Sequence, residues 1–164
     1  MPVQVAAPIP PTAEPVACEA SSLDPLLVAA VAARILPSSD GQGAAEAGVG
    51  LYLLRCLADD RLAEQRRTVA AGLRLLGAEA QRLHGLPFAG LTAPQQDAVL
   101  ERVGRFPRLG PAFLGLMVDL VLEGFLCHPS RGGNRGRIGW ASLDLAPGLW
   151  PDACGEVTPG TDAP

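Results

Sequence analysis

The sequence predicts an all-α protein, a compact bundle of about five helices. Three observations favour this fold class: apolar residues recur at helical spacing, 48 % of the 164 residues are hydrophobic, and no stretch shows the sustained apolar–polar alternation of a strand. A chain this apolar can build a core, which argues against wholesale disorder. Its length is sufficient for one domain of ordinary size.

Five helices are predicted in chain order, over residues 26–36, about 44–58, about 60–83, from Thr92 onward, and about 112–126. The first begins where Asp24 can cap the helix and Pro25 can occupy its first turn. The fourth begins at Thr92, and Gln95 follows at the spacing of a capping box. Prolines and short polar turns separate the helices.

The predicted fifth helix is apolar on most of its sides, so it is expected to be the central helix around which the others pack. The longest apolar span, Pro111 to Leu126, is interrupted by Asp119 and Glu123. It therefore falls short of the roughly 18 uninterrupted apolar residues of a membrane helix. The two carboxylates are four residues apart and share one helix face, where they are expected to pair with arginines of the segment that follows.

Three segments are predicted: a Pro/Ala-rich arm over residues 1–22, a helical domain over 23–145, and an acidic, Pro-rich tail over 146–164. Residues 1–17 contain no basic residue and no compact apolar run, so they are not expected to form a secretion signal. All 13 basic residues are arginines, and the net charge is −4. An acidic chain without lysine clusters is not expected to bind nucleic acid.

The segment over residues 128–140, HPSRGGNRGRIGW, is the most distinctive part of the sequence. Its glycines and guanidinium groups could cradle a phosphate, although such loops normally lie between a strand and a helix. Alternatively it is an interface loop, because glycine permits close approach of a partner and arginine and tryptophan often anchor protein contacts. Packing within the protein's own fold is a third interpretation. The residues assigned to a predicted partner interface are Arg131, Gly132, Gly133, Asn134, Arg135, Arg137, Gly139 and Trp140.

The four cysteines, Cys18, Cys56, Cys127 and Cys154, show no metal-binding spacing. They are interpreted either as buried thiols or as one or two disulfides, which would require an oxidising compartment. Cys127 is followed directly by His128, but adjacent side chains cannot easily face each other, and no third orienting group is evident. No catalytic, cofactor-binding or metal-binding residue is therefore predicted in this chain.

Two patterns resemble a known family. The first is Glu123-Gly124-Phe125-Leu126-x-x-Pro129, then Gly132-Gly133-Asn134-Arg135, then Gly139-Trp140; the second is Ala33-Arg34-Ile35-Leu36-Pro37, then Asp40, then Gly43-Ala44-x-Glu46-Ala47-Gly48-Val49. Together they resemble the gluconate 2-dehydrogenase subunit 3 family over about residues 26–145. In two respects the chain departs from the family: Arg131 stands where members often carry an aromatic residue, and no twin-arginine pair lies near the N-terminus.

The resemblance implies a three-part enzyme. A large flavoprotein of the glucose-methanol-choline type binds FAD and oxidises the sugar, and a multihaem cytochrome c subunit carries the electrons onward. The small subunit has no redox centre and supports folding, stability or export of the large one. The resemblance also implies a periplasmic location, which this chain would reach together with a partner that carries an export signal. It would contact the membrane only through its partners. A cytoplasmic location is the alternative.

The sequence therefore predicts a non-catalytic small (gamma) subunit of a flavin-dependent gluconate or sugar dehydrogenase. The alternative is a stand-alone helical domain that binds a small molecule or nucleotide through the arginine- and glycine-rich loop.

Overall fold

The computed structural model describes residues 23–144, and the protein is all-α over that range. Its six α-helices are α1 (Pro25–Ile35), α2 (Val49–Leu57), α3 (Ala63–His84), α4 (Ala93–Gly104), α5 (Leu109–Leu126) and α6 (Ile138–Ala141). Short 3₁₀ turns lie at Asp60–Leu62, Phe88–Gly90, Pro129–Arg131 and Arg135–Arg137. Because no strand occurs among these residues, the predicted fold class is confirmed. The predicted arm over 1–22 and tail over 146–164 lie outside the described residues.

Two helix starts follow the predicted capping patterns. At α1, the Asp24 side chain accepts a hydrogen bond from the backbone N–H of Leu26 at 2.9 Å. At α4, the side-chain oxygen of Gln95 accepts from the backbone N–H of Thr92 at 3.0 Å and from its hydroxyl at 2.9 Å. Both starts depend on side chains within three residues of the cap, which is why a local sequence pattern locates them.

Three other helix starts differ from the predicted ones. α2 begins at Val49, later than predicted, because Gly48 adopts the left-handed conformation (φ 72°) and separates the helix from the turns before it. α5 begins at Leu109, earlier than predicted, because Pro111 falls in the first turn, where a helix needs no N–H donor. α3 is preceded by a 3₁₀ turn that the sequence pattern had included in the helix.

The central position predicted for α5 is confirmed, because α5 contacts each of the other five helices of the described chain. Its inward face contributes the fully buried side chains of Phe113, Met117 and Val121. α3 crosses it closely at Gly72, where an added Cβ would overlap the Phe113 ring. A larger residue at this crossing would force the two helices apart.

One side of α5 is not covered by the bundle. By length and composition, Leu109–Leu126 could cross a membrane, with a mean hydropathy of 1.7, although Asp119 and Glu123 interrupt it as the sequence showed. In the bundle, 39 % of this helix is buried. A core helix of a globular protein passes the same test, so hydropathy alone does not place α5 in a membrane.

Ion pairs link the outer helices. Glu79 of α3 is 8 % exposed, and its carboxylate lies 2.8 Å from Arg82 of the same helix and 2.6 Å from Arg102 of α4. Hydrogen bonds from Arg82 are the largest cause that lowers the pKa of Glu79. Arg34 of α1 donates to Asp97 of α4 at 3.1 Å. These pairs hold α4 against α3 and against α1.

Candidate functional site

The glycine- and arginine-rich loop folds back onto the C-terminal end of α5. The last carbonyl groups of a helix have no hydrogen-bond partner within that helix. Here the Asn134 side-chain amide donates to the carbonyl of Cys127 at 2.9 Å, and the Trp140 indole N–H donates to the carbonyl of Leu126 at 2.8 Å. The loop is therefore a side-chain cap for the central helix.

Two glycines permit this close packing. A Cβ at Gly133 would overlap the carbonyl oxygen of Gly124, and a Cβ at Gly139 would overlap the carbonyl oxygen of Phe125. Both loop glycines are buried. The spacing of the motif thus reflects contacts between the loop backbone and the last turn of α5.

Asn134 is the buried centre of the loop. Asn134 is 0 % exposed to solvent. Its backbone adopts the left-handed conformation (φ 45°), which asparagine tolerates better than most residues. The side-chain oxygen accepts from the backbone N–H of Gly139 at 2.8 Å, while the amide nitrogen donates to Cys127. One side chain therefore joins the end of α5 to the start of α6.

The next residue connects the loop to the turn that precedes α2. The backbone N–H of Arg135 donates to the carbonyl of Ala47 at 2.9 Å. Its guanidinium lies over Gly48, where an added Cβ would be 3.3 Å from Nη2. The two segments that carry the family resemblance are distant in sequence, and the fold brings them into contact.

The loop presents its charged side chains outward. Arg131, Arg135 and Arg137 are exposed. Arg131 lies 3.9 Å from Glu123, which is one of the pairs expected between α5 and the loop. The Arg137 guanidinium lies 5.9 Å from the centre of the Trp140 ring, within the range of a cation–π contact.

A cavity of about 440 Å³ opens beside the loop; its lining residues are Tyr52, Arg55, Cys56, Asp59, Arg61, Leu62, Glu123 and Arg131. Hydrogen bonds from Arg61 lower the pKa of Asp59 to about 2, so that arginine is already paired. Burial, followed by a hydrogen bond with Glu123, raises the pKa of Tyr52. Within residues 23–144, no carboxylate pairs with Arg55, whose guanidinium lies against Gly132. Arg55 therefore places a guanidinium at this cavity that no carboxylate among the described residues neutralises.

The two cysteines that the structure describes, Cys56 and Cys127, are free thiols. Burial raises the pKa of Cys127, which disfavours the reactive thiolate. His128 faces Ser130, with Nδ1 2.8 Å from the hydroxyl, and its ring lies 5.8 Å from that of Trp140. Cys18 and Cys154 lie outside the described residues. Among residues 23–144 no group of three or more His, Cys, Asp or Glu side chains could hold a metal.

The structure divides the eight predicted interface residues by location. Gly133, Asn134 and Gly139 are buried within the protein, Gly132 and Trp140 are partly buried, and Arg131, Arg135 and Arg137 are exposed. The first group shapes the loop, and the arginines and the accessible part of Trp140 can contact another molecule. Sequence reasoning missed Arg55, because only the fold brings α2 beside the loop.

The fold and loop define a small, all-helical protein whose most distinctive feature is a capped, arginine-bearing loop. The family model of gluconate 2-dehydrogenase subunit 3 matches residues 24–148. The chain belongs to the gluconate 2-dehydrogenase subunit 3 family. No curated protein and no solved structure matches it.

Proposed function

We propose that this chain is the non-catalytic small subunit of an FAD-dependent gluconate or sugar dehydrogenase complex. The observation that carries the proposal is the family match over residues 24–148. In this account FAD belongs to a large subunit of the glucose-methanol-choline type, and haem c belongs to a multihaem cytochrome c subunit. This chain supports the folding, stability or export of the large subunit.

The loop geometry supports a binding role. The Asn134 amide nitrogen donates to Cys127 at 2.9 Å, and its oxygen accepts from Gly139 at 2.8 Å. These two hydrogen bonds fix the loop before any partner binds. A preorganised loop loses little conformational entropy on association. The exposed guanidinium groups of Arg131, Arg135 and Arg137 are suited to carboxylates on a partner surface.

The proposed location is the periplasm, with membrane association only through the partner subunits. Export together with a signal-bearing partner would explain this location. The alternative is the cytoplasm, and cell fractionation of the tagged chain distinguishes the two compartments.

Co-expression tests the proposed support of the large subunit. The large subunit is produced with and without this chain, and its soluble yield, FAD content and dehydrogenase activity are measured. We expect all three to fall when the chain is omitted. Unchanged yield, FAD content and activity would contradict the proposal.

A second candidate function is small-anion binding in the cavity beside the loop. Arg55 favours it, because this guanidinium borders the cavity and pairs with no carboxylate among residues 23–144. Inorganic phosphate, citrate or a nucleotide would then raise the melting temperature of the isolated chain, and Arg55→Gln would abolish the effect. No shift with any of these anions would exclude this function.

A further inference from the structure

Exposed apolar side chains gather along one face of α5. Val118, Leu122 and Leu126 are 40 %, 44 % and 39 % exposed. Residues four apart in a helix lie on the same face, so the three form a line about 12 Å long. This line runs along the side of the central helix that the bundle leaves uncovered.

The loop extends this line beyond the end of the helix. The Trp140 indole is fixed to the carbonyl of Leu126 at 2.8 Å. Leu143, which is 55 % exposed, lies in the turn that follows, where its backbone N–H donates to the Trp140 carbonyl at 3.2 Å. We call Val118, Leu122, Leu126, Trp140 and Leu143 the α5 ridge.

The α5 ridge accounts for four of the eight large hydrophobic side chains that are exposed within residues 23–144; the other four are Leu26, Leu51, Leu83 and Leu86. Isolated exposed leucines are normal on a protein surface, whereas a contiguous apolar set bordered by polar groups is typical of an interaction site. Val118, Leu122 and Leu126 form such a set because they lie four residues apart on one helix face, and the Trp140 indole is hydrogen-bonded to the end of that helix.

Charged groups border the α5 ridge. Asp119 and Glu123 lie on the exposed side of α5 beside it, and Arg131 and Arg137 lie at its loop end. Entry into lipid would require the two carboxylates to leave water, which is costly. A protein surface with an apolar centre and a polar, charged rim satisfies both kinds of group.

We propose that the α5 ridge is the surface that docks onto the FAD-binding large subunit, with carboxylates of that subunit facing the loop arginines. This inference rests on the proposed function, because it takes the partner from the chain's membership of a subunit family. Continuity with the loop and the positive charge at that end favour this occupant. Lipid and a second copy of the chain are the other occupants that the test must distinguish.

The test uses the full chain co-expressed with the large subunit, and retention of the large subunit on the tagged chain is measured. The variant Val118→Gln/Leu122→Gln removes apolar area while keeping residues that favour a helix. The matched control is Leu26→Gln, which alters a leucine that is 75 % exposed on α1. We expect the ridge variant to lose about tenfold or more in retention, since central apolar contacts dominate interface energies, and the control to match the wild type.

Each other outcome has a separate meaning. If the wild-type chain retains no large subunit, the proposed function fails together with the inference. If the wild type and the ridge variant retain it equally, or if Leu26→Gln is equally impaired, the inference alone is overturned. It is also overturned if the wild-type chain alone binds phosphatidylcholine vesicles or forms a dimer, and the ridge variant does not. Circular dichroism and the melting temperature verify that both variants are folded.

Discussion

Asn134 shows how a single side chain can determine the shape of a whole loop. It is fully buried and uses both ends of its amide, one toward Cys127 and the other toward Gly139. When a buried backbone group loses its hydrogen-bond partner, nothing offsets the free energy spent on removing that group from water. Asn134 therefore connects the segment that carries the loop arginines to both α5 and α6.

We therefore expect Asn134→Ala to lower the free energy of unfolding by about 1–3 kcal/mol, because two backbone groups lose their partner. Urea denaturation measures the change. Gln96→Ala is the control: it removes one amide contact, to the carbonyl of Phe88 at 3.0 Å in a partly buried position, and we expect a smaller loss. An Asn134→Ala protein as stable as the wild type would contradict this role.

The loop glycines lead to a second prediction. Gly139→Ala would place a Cβ against the carbonyl oxygen of Phe125, whereas Gly115→Ala on the open side of α5 would place one in free space. We expect the first to destabilise the protein by about 1–3 kcal/mol and the second to stabilise it by about 0.5–1 kcal/mol. Thermal unfolding of the two variants distinguishes them. Equal changes in stability would refute the packing argument.

The loop residues could be selected from the sequence, but their contacts could not be predicted. The glycine pair, Asn134 and Trp140 are recognisable as a motif, and an interface was the predicted role. That Gly133 and Gly139 fit against carbonyl groups of α5 depends on a distance between two backbones, which no local pattern encodes. The same applies to Arg55, which approaches the cavity only after α2 packs beside α5.

At the scale of secondary-structure elements, the sequence correctly predicts helix starts that depend on hydrogen bonds between residues close together in the chain. Asp24 caps α1, and Thr92 with Gln95 caps α4, because the interacting groups lie within three residues of each other. The observed start of α2 at Val49 is later than the predicted one, because the left-handed conformation of Gly48 interrupts the helix, and the apolar spacing around it does not encode this conformation. The α5 ridge cannot be predicted from the sequence, because periodicity does not tell which side of an apolar helix the fold covers.

The link between α3 and α4 carries a prediction on pH. Arg82 and Arg102 lower the pKa of Glu79 in the folded protein. The ionised Glu79 carboxylate therefore makes its full contribution to stability when the pH lies above the ordinary pKa of 4.5. That contribution is lost as the pH falls from 4.5 through the lower folded value. We expect the stability difference between wild type and Glu79→Gln to shrink over this interval.

Urea denaturation of both proteins, from neutral pH down to about pH 3, measures this difference. At neutral pH the variant should be the less stable of the two. A difference that stays constant across the whole range would show that the carboxylate charge does not join the two helices.

At the scale of the whole molecule, the fold organises one end of the bundle around the C-terminus of α5. The capped loop, the exposed loop arginines and the α5 ridge meet there. Membership of the gluconate 2-dehydrogenase subunit 3 family assigns the chain to a set of subunits. We infer that this end of the bundle serves association with the FAD-binding large subunit.

The most direct test of this account is size-exclusion chromatography with light scattering on the co-expressed pair, followed by flavin analysis of each peak. We expect one species that contains both chains and FAD, and a flavin-free peak for this chain produced alone. Separate elution of the two chains would contradict the account. So would flavin, haem or sugar oxidation by this chain in isolation.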